Sequence, residues 1–309
     1  MECSKTYKIL FWILLSLILI LLIWMFITGK SIIDKWKEVY NNDKVCLNGT
    51  GKCQITLNDD LTLPDEIVPS QYVSTTAQYC LDIVSRVADM YDRGFVKPPT
   101  LTQSYNIISN PSSKKPIIGK IFTDSKNRAW VAFRGTQTLD ELLADFNFRE
   151  KSISKKHKQV TLGSTENIKV HQGFWEEYAT FRSKILQYFK QNASYDQIII
   201  TGHSLGSALA LLLSYDLMNS DQSKKLVVYL FACPRVGNIE FQKSFQVPCF
   251  SIVNQSDIIP TLPFSVMPNN SHNVNIYSHV GTQITFDDNW KSLGNNHQIP
   301  IYAANILNT

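Results

Sequence analysis

The segment QIIITGHSLGSALALLLSYDLM (Gln197–Met218) carries the strongest structural signal in this chain of 309 residues. Its β-branched run, Ile198–Ile200, predicts a short buried strand, and the run Ala208–Leu213 predicts a helix soon after it. Between the two runs lies GHSLG (residues 202–206), which fits the pattern G-x-S-x-G. Glycines two residues before and two after the serine leave room for a tight turn. The segment therefore predicts a strand, a sharp turn that carries a serine, and a helix.

This arrangement predicts that Ser204 is a catalytic nucleophile. A serine hydroxyl is a weak nucleophile, so it must be held on a turn where a neighbouring base can take its proton. The start of the following helix directs backbone N–H groups at the negative charge that forms on a substrate. The alternative is a chance G-x-S-x-G sequence at an ordinary turn, and the flanking strand and helix patterns argue against it.

Strands and helices alternate along the rest of the chain, which predicts an α/β fold with a mostly parallel central sheet covered on both faces. A helical pattern runs from Val68 to Tyr91, and a second amphipathic helix is predicted over Phe174–Phe189. The helix after the nucleophile is predicted over Ser207–Met218. Further strands are predicted at Ile117–Phe122, Ala129–Phe133, Ile198–Thr201, Leu226–Ala232 and Cys249–Val253.

The N-terminal region predicts a membrane anchor. From Ile9 to Thr28 the chain reads ILFWILLSLILILLIWMFIT, without a charged residue, and about 20 apolar residues in a helix span a ~30 Å hydrocarbon core. We therefore expect a single transmembrane helix within residues 1–29, a stalk over 30–64 and one domain over 65–309. A cleaved signal peptide is the alternative. Its apolar region is usually only about 7–15 residues long, and no small-x-small cleavage site follows the run here.

Composition narrows the possible partners and the compartment. The formal charge of +4 is small and spread along the chain, so we expect no nucleic-acid partner. Cys46 and Cys53 bracket a glycine-containing stretch that a small disulfide loop could close, which favours a domain on the lumenal or extracellular side; two free thiols are the alternative. Basic residues flank the apolar run on both sides and leave its orientation open. No CxxC pair occurs, and a structural zinc is not expected.

Several motifs, in order and spacing, resemble those of the class 3 (fungal-type) lipases, a family of the α/β-hydrolase superfamily. TGHSLGSALA (201–210) resembles the family's nucleophile region, and AFRGT (132–136) resembles its oxyanion-hole segment. VHQGF (170–174), CPRVGN (233–238) and SIVNQSDIIPTLP (251–263) resemble three further family blocks. Together the blocks indicate a resemblance over about residues 115–300. One departure is Ser207, where the family usually has glycine.

The other two members of a catalytic triad are expected to be Asp257 and His297. Asp257 follows the strand Cys249–Val253, where a carboxylate would project from the strand's C-terminal end; Asp287 and Asp288 are the alternatives. The α/β-hydrolase order is serine, acid, histidine, which both His279 and His297 satisfy. Apolar residues on both sides of His279 predict a strand-rich hairpin with His279 near its turn. Around His297 a polar stretch predicts a loop, followed by Ile299, Ile301 and Tyr302, which are expected to anchor a terminal helix. The resemblance favours His297, because the family's base lies near the end of the domain.

The resemblance also implies an oxyanion hole and a lid. The backbone N–H groups of Leu205 and Thr136 are expected to bind the oxyanion, with the Thr136 hydroxyl as a possible third donor. After Thr136, an apolar stripe of Leu139, Leu142, Leu143 and Phe146 predicts a short amphipathic helix. This helix, within residues 139–148, is either packed in the core or the mobile lid that the family carries.

Taken together, the sequence predicts a membrane-anchored serine hydrolase. We expect it to cleave acylglycerols or glycerophospholipids through an acyl-enzyme, with no cofactor and no metal. One alternative is an acyltransferase that uses the same triad with an acceptor other than water. Another is a catalytically silent lipid-binding protein, which would not need a serine, an acid and a histidine in this order. The sequence makes no prediction of the oligomeric state.

Overall fold

A computed structural model describes residues 62–92, 94–135, 150–152, 168–220, 225–268, 274–291 and 293–309. The predicted membrane segment, most of the stalk, Thr136 and the predicted lid helix lie outside these ranges. Within them, no helix is both long enough and apolar enough to cross a bilayer. The described residues up to Lys291 and from Asn295 onward form one compact unit.

The central sheet has seven strands in the order β1-β2-β3-β6-β7-β9-β12. Five of these strands are parallel to one another: β3, β6, β7, β9 and β12. At one edge, β1 pairs antiparallel with β2, and β2 pairs antiparallel with β3. The sequence prediction of a mostly parallel sheet is thus confirmed. The strand bounds are β1 Leu101–Ile108, β2 Ile117–Asp124, β3 Arg128–Phe133, β6 Gln197–His203, β7 Leu226–Phe231, β9 Cys249–Asn254 and β12 Thr282–Phe286.

Helices cover both faces of this sheet and create two hydrophobic cores. Side chains alternate across a strand, so Ile198 and Ile200 of β6 point into one core and Ile199 points into the other. Helices α2 and α3 close the first core, and α1 and α6 close the second. The helix bounds are α1 Ser74–Asp89, α2 Gln172–Gln191, α3 Leu205–Met218, α4 Ile239–Ser244, α5 Leu293–Asn296 and α6 Ile299–Asn305.

A second, smaller antiparallel sheet has the strand order β10-β11-β8-β5-β4. Its strands are only two to five residues long, which explains why the sequence patterns missed most of them. Short 3₁₀ turns lie at Ile259–Thr261 and Ile306–Asn308. The strand bounds are β4 Glu150–Ser152, β5 Lys169–His171, β8 Gly237–Asn238, β10 Val266–Pro268 and β11 Val274–Ser278.

One local expectation about His279 is wrong. The alternating apolar residues on both sides of it suggested a β-hairpin with His279 near the turn. Instead, β11 pairs with β8 and β10 in the small sheet, whereas β12 runs parallel to β9 in the central sheet. His279 therefore lies where the chain passes from one sheet to the other, because an alternating pattern predicts strands but not their partners.

Candidate active site

Ser204 occupies the turn between β6 and α3. Its backbone adopts φ 59° and ψ −127°, a positive-φ conformation that costs a non-glycine residue about 1–3 kcal/mol. The two flanking glycines make this turn possible. A Cβ on Gly202 would collide with the backbone of Gly206, and a Cβ on Gly206 would collide with the backbone of Phe133 on the neighbouring strand. The strand, the sharp turn and the helix predicted from the sequence are all present.

The Ser204 side chain is buried but not engaged. Its backbone N–H donates to the carbonyl oxygen of Phe231 at 3.0 Å, which ties the turn to β7. The hydroxyl oxygen, by contrast, has no hydrogen-bond partner among the described residues. A buried hydroxyl without a partner is uncommon in proteins. Here the Ser204 oxygen has no competing hydrogen bond within the described residues.

Asp257 follows β9 and is held by three donors. Its Oδ2 accepts from His297 Nδ1 at 2.7 Å and from the Tyr302 hydroxyl at 2.7 Å, while Oδ1 accepts from the backbone N–H of Ile259 at 2.9 Å. The carboxylate is 1% exposed. Asp287 binds a serine hydroxyl and Asp288 binds Asn305, so neither alternative acid contacts His297 in the described residues.

His297 joins Asp257 to the turn that carries Ser204. Because its Nδ1–H donates to a carboxylate, its Nε2 keeps the lone pair that a general base needs. Its ring centroid lies 4.7 Å from that of His203, the residue immediately before Ser204. In addition, His203 Nε2–H donates to the carbonyl oxygen of His297 at 2.9 Å. The structure thus brings Asp257, His297 and the Ser204 turn together at the C-terminal edge of the sheet.

The other described histidines have environments that favour their neutral form. Burial lowers the pKa of His203 well below its usual value, and a nearby charge on His297 would lower it further. Burial, and then the Arg235 guanidinium, lower the pKa of His279 to about 4. Burial likewise lowers the pKa of His171 to about 4, and its Nδ1 caps helix α2 by accepting from the Phe174 N–H.

Asn254, at the end of β9, connects the loops that carry Asp257 and His297, and sequence reasoning missed this role. Its side-chain amide donates to the carbonyl oxygens of Asp288 and Asn296, and its Oδ1 accepts from the N–H groups of Ser256 and Asp288. Asn296 in turn donates to the carbonyl oxygen of Ser256. Asn254 is fully buried. This network fixes the residue before His297 relative to the loop that carries Asp257.

The segment before Thr136 lies beside Ser204. Gly135 approaches Ser204 so closely that a Cβ on it would be 3.1 Å from the Ser204 Cβ. Arg134 fixes this segment by donating to the carbonyl oxygens of Gly135, Ile117 and Lys115. On the other side, Leu205 is the first residue of α3, where backbone N–H groups have no acceptor within the helix. Thr136, the second expected donor, lies outside the described residues.

A family model described as lipase (class 3) matches residues 130–267, a range that includes Ser204 and Asp257. Over these residues the chain is similar to the class 3 lipases. Among curated relatives, a lipase of Rhizomucor miehei is 33% identical over 150 residues, which cover 45% of the chain and 39% of the relative. A phospholipase A1-II 1 of Oryza sativa is 28% identical over 264 residues, covering 77% of the chain and 62% of the relative. The chain thus matches less than two thirds of the length of either relative.

Solved structures of lipases share the fold. The Rhizomucor miehei triacylglyceride lipase superposes with a TM-score of 0.51 at 24% identity, covering 69% of this chain and 79% of that one. The lipase of Rhizopus microsporus var. chinensis gives a TM-score of 0.50 at 22% identity, covering 76% and 85%. The predicted α/β-hydrolase fold is therefore confirmed.

Ser207, the departure from the family's usual glycine, has a structural role. The residue is fully buried. Its hydroxyl oxygen lies 2.6 Å from the Gly202 carbonyl oxygen and 2.8 Å from that of Phe231, and it accepts from the Phe231 N–H at 3.2 Å. The serine therefore links the first turn of α3 to both β6 and β7. Within the described ranges, no three His, Cys, Asp or Glu side chains cluster as metal ligands would.

Proposed function

We propose that this chain is a serine hydrolase that cleaves carboxylic esters of lipids through an acyl-enzyme. The observation that carries the proposal is the pair of hydrogen bonds in which Asp257 orients His297, beside a turn whose Ser204 hydroxyl is unengaged. A structural or binding role would not require a strained turn, an oriented imidazole and a buried carboxylate in one place. The match of residues 130–267 to the class 3 lipase model supports ester hydrolysis as the reaction.

In the first half of the reaction, Ser204 Oγ attacks the ester carbonyl carbon and its proton passes to His297 Nε2. Asp257 stabilises the imidazolium that forms, and it holds the ring in the tautomer with Nδ1–H. The tetrahedral intermediate then collapses. The C–O bond to the alcohol breaks, the alcohol oxygen takes the proton from His297 Nε2, and the acyl group remains on Ser204. Tyr302 and the Ile259 N–H help to hold the Asp257 carboxylate in place during these proton transfers.

In the second half, a water molecule replaces the alcohol. His297 takes a proton from the water as its oxygen attacks the acyl carbonyl carbon, and the same proton returns to Ser204 Oγ as the acid leaves. The oxyanion of both tetrahedral intermediates is proposed to bind the backbone N–H groups of Leu205 and Thr136. Preorganised donors of this kind contribute on the order of 3–4 kcal/mol each. The placement of Gly135 against Ser204 supports the assignment of Thr136, the next residue.

The proposed substrates are acylglycerols or glycerophospholipids. Relatives named as a lipase, a secreted mono- and diacylglycerol lipase and a phospholipase A1 support this range. The test is to incubate the purified chain with triacylglycerol, diacylglycerol and phosphatidylcholine and to quantify released fatty acid. We expect release from at least one of them. Absence of release from all three, together with transfer of the acyl group to an added alcohol, would identify an acyltransferase instead.

We further propose that residues 9–28 anchor the domain to a membrane as a single transmembrane helix, with the domain on the non-cytosolic side. The uncharged apolar run of that segment supports the first part, and the spacing of Cys46 and Cys53 supports the second. We expect the full chain to remain in the membrane pellet after a carbonate wash. A soluble secreted form that lacks the segment would show that the segment is a signal peptide. Two thiols at Cys46 and Cys53 that alkylate readily in intact cells would contradict the proposed side.

A further inference from the structure

Strands β10 and β11 form a ribbon whose outer face is apolar. Three side chains on it are exposed, Val266 at 56%, Val274 at 55% and Ile276 at 47%, and Phe264, two residues before β10, is also 56% exposed. Val266 lies directly opposite Ile276 in the antiparallel register, and Val274 is two residues before Ile276 on the same strand. We call these four residues the apolar ribbon. Soluble proteins normally bury aliphatic side chains that are clustered in this way.

The alternation in β11 is the reverse of the pattern expected beside water. A strand with one wet face normally turns its aliphatic residues inward and its polar residues outward. In β11 the inward positions are Asn275 and Tyr277, which are 5% and 1% exposed, whereas Val274 and Ile276 face outward. Such an inversion indicates that the outer face meets an apolar medium rather than water.

The surrounding sequence lacks charge over a long stretch. The 29 residues from Ile258 to Phe286 contain no Asp, Glu, Lys or Arg, although 18% of the chain is charged. At that average, the stretch would hold about five charged side chains. Burial lowers the pKa of His279, a histidine within the stretch, to about 4. A protein partner would be expected to meet a rim with charged groups, whereas a lipid surface selects against charge at the acyl boundary.

The uncharged stretch also adjoins the proposed site. It begins at the residue after Asp257, and only eight residues separate Asp257 from β10. Their Cα atoms are therefore at most roughly 30 Å apart. The proposed anchor ends at Thr28, and 33 residues lie between it and Thr62, the first described residue. A chain of that length reaches at most about 110 Å, so the domain remains close to the bilayer that holds the anchor.

We propose that the apolar ribbon docks on the surface of a lipid bilayer and thereby presents the active site to ester bonds in that bilayer. The proposal deepens the function proposed above and rests on it for the identity of the substrate. The side chains of Phe264, Val266, Val274 and Ile276 insert at the boundary between headgroups and acyl chains. The inserted face carries no charge that would have to be desolvated.

The first test compares two substrates for one pair of substitutions. The full-length chain is reconstituted in phosphatidylcholine vesicles, and hydrolysis of the vesicle lipid is measured beside that of a water-soluble p-nitrophenyl butyrate. In a variant with Val266→Asp and Ile276→Asp, we expect vesicle hydrolysis to fall by about tenfold or more, because two charges must enter the acyl boundary. The soluble ester should be cleaved within about twofold of the original rate, since both side chains are about half exposed to solvent and the soluble ester needs no bilayer.

The matched control is Val96→Asp, at a valine that is 50% exposed and outside the ribbon. It should leave both rates unchanged. Equal losses on both substrates in the double variant would indicate a structural effect and overturn the proposal. Unchanged hydrolysis of both would overturn it as well.

The second test does not depend on catalysis. A photo-cross-linking residue, benzoylphenylalanine, replaces Ile276 in the full-length chain in the same vesicles, and a parallel sample carries it at Val96. A lipid adduct at position 276 and none at position 96 is the expected result. A dimer adduct would show that a second copy covers the ribbon, and absence of any adduct would show that nothing does; either result overturns the proposal. Failure to hydrolyse any ester, combined with the lipid adduct, would refute the proposed function and leave the docking surface standing.

Discussion

Replacing Ser204 with alanine is expected to abolish ester hydrolysis and labelling by a fluorophosphonate probe. The loss in kcat should be roughly 10⁴-fold or more, because the acyl-enzyme cannot form without the hydroxyl. The fold should remain intact, since the Ser204 hydroxyl makes no hydrogen bond in the described structure and its removal leaves no partner unsatisfied. Because the substitution removes a buried hydroxyl that makes no hydrogen bond, the melting temperature should stay the same or rise slightly. Probe labelling is measured by in-gel fluorescence and the melting temperature by thermal unfolding, on the same purified variant.

The matched control is Ser214→Ala. Ser214 is a buried serine on the same helix, α3, and its hydroxyl donates only to the Ala210 carbonyl oxygen. This variant should label and turn over as the original chain does. An alanine variant of Ser204 that kept near-normal activity would place the nucleophile elsewhere.

Replacing His297 with alanine should have an effect of similar size, and replacing His279 should not. His297 is the histidine that contacts Asp257, so His297→Ala removes the general base and is expected to lower kcat by roughly 10⁴-fold. Its removal also leaves the Tyr302 hydroxyl and the Ile259 N–H as the donors that remain to Asp257. Cooperative unfolding should persist. The measurement is kcat on a soluble ester, with circular dichroism to show that each variant is folded.

His279→Ala is the matched comparison, at the alternative base. His279 is largely buried, bonds to the backbone of Pro260 and lies near Arg235, so its loss should cost about 1–2 kcal/mol of stability. Residual kcat should stay far above that of His297→Ala. Because the folded pKa of about 4 is below the ordinary value of 6.5, the neutral form stabilises the fold above pH 6.5, and this contribution is lost as the pH falls toward 4. In His279→Ala, the free energy of unfolding should therefore not show this loss as the pH falls from 6.5 toward 4. A larger kcat loss in His279→Ala, measured on folded protein, would move the base to His279.

Most of the central sheet was predictable, because its buried parallel strands are runs of β-branched and aliphatic residues with helical patterns between them. The strand–turn–helix segment around Ser204 was predicted almost to its observed bounds, and the predicted helix over Phe174–Phe189 lies within α2. Ser204 follows the end of β6 and Asp257 follows the end of β9. Because these strands are parallel, this alone predicts that both residues lie at the same edge of the sheet. These are consequences of local pattern together with the direction of parallel strands.

The parts that were missed depend on contacts between residues far apart in the chain. Tyr302 looked like an apolar anchor of the last helix, yet its hydroxyl donates to Asp257, 45 residues earlier. The links from Asn254 to Asn296 also join distant segments, and an asparagine that binds backbone groups has no sequence signature. The small sheet was missed because its strands are too short for alternation to be recognised, and the His279 hairpin was wrong because pairing is decided by tertiary packing.

The burial of Asn254 has a consequence for modification of the chain. Asn254, Gln255 and Ser256 form an N-x-S acceptor for N-linked glycans, a site that normally lies on the protein surface. In the folded domain both amide hydrogens of Asn254 are bonded to backbone carbonyls and the side chain is inaccessible. An oligosaccharyltransferase could therefore reach this asparagine only on a nascent or unfolded chain. A sugar attached at that stage would separate the loops of Asp257 and His297, so glycan occupancy at Asn254 would mark molecules that failed to mature.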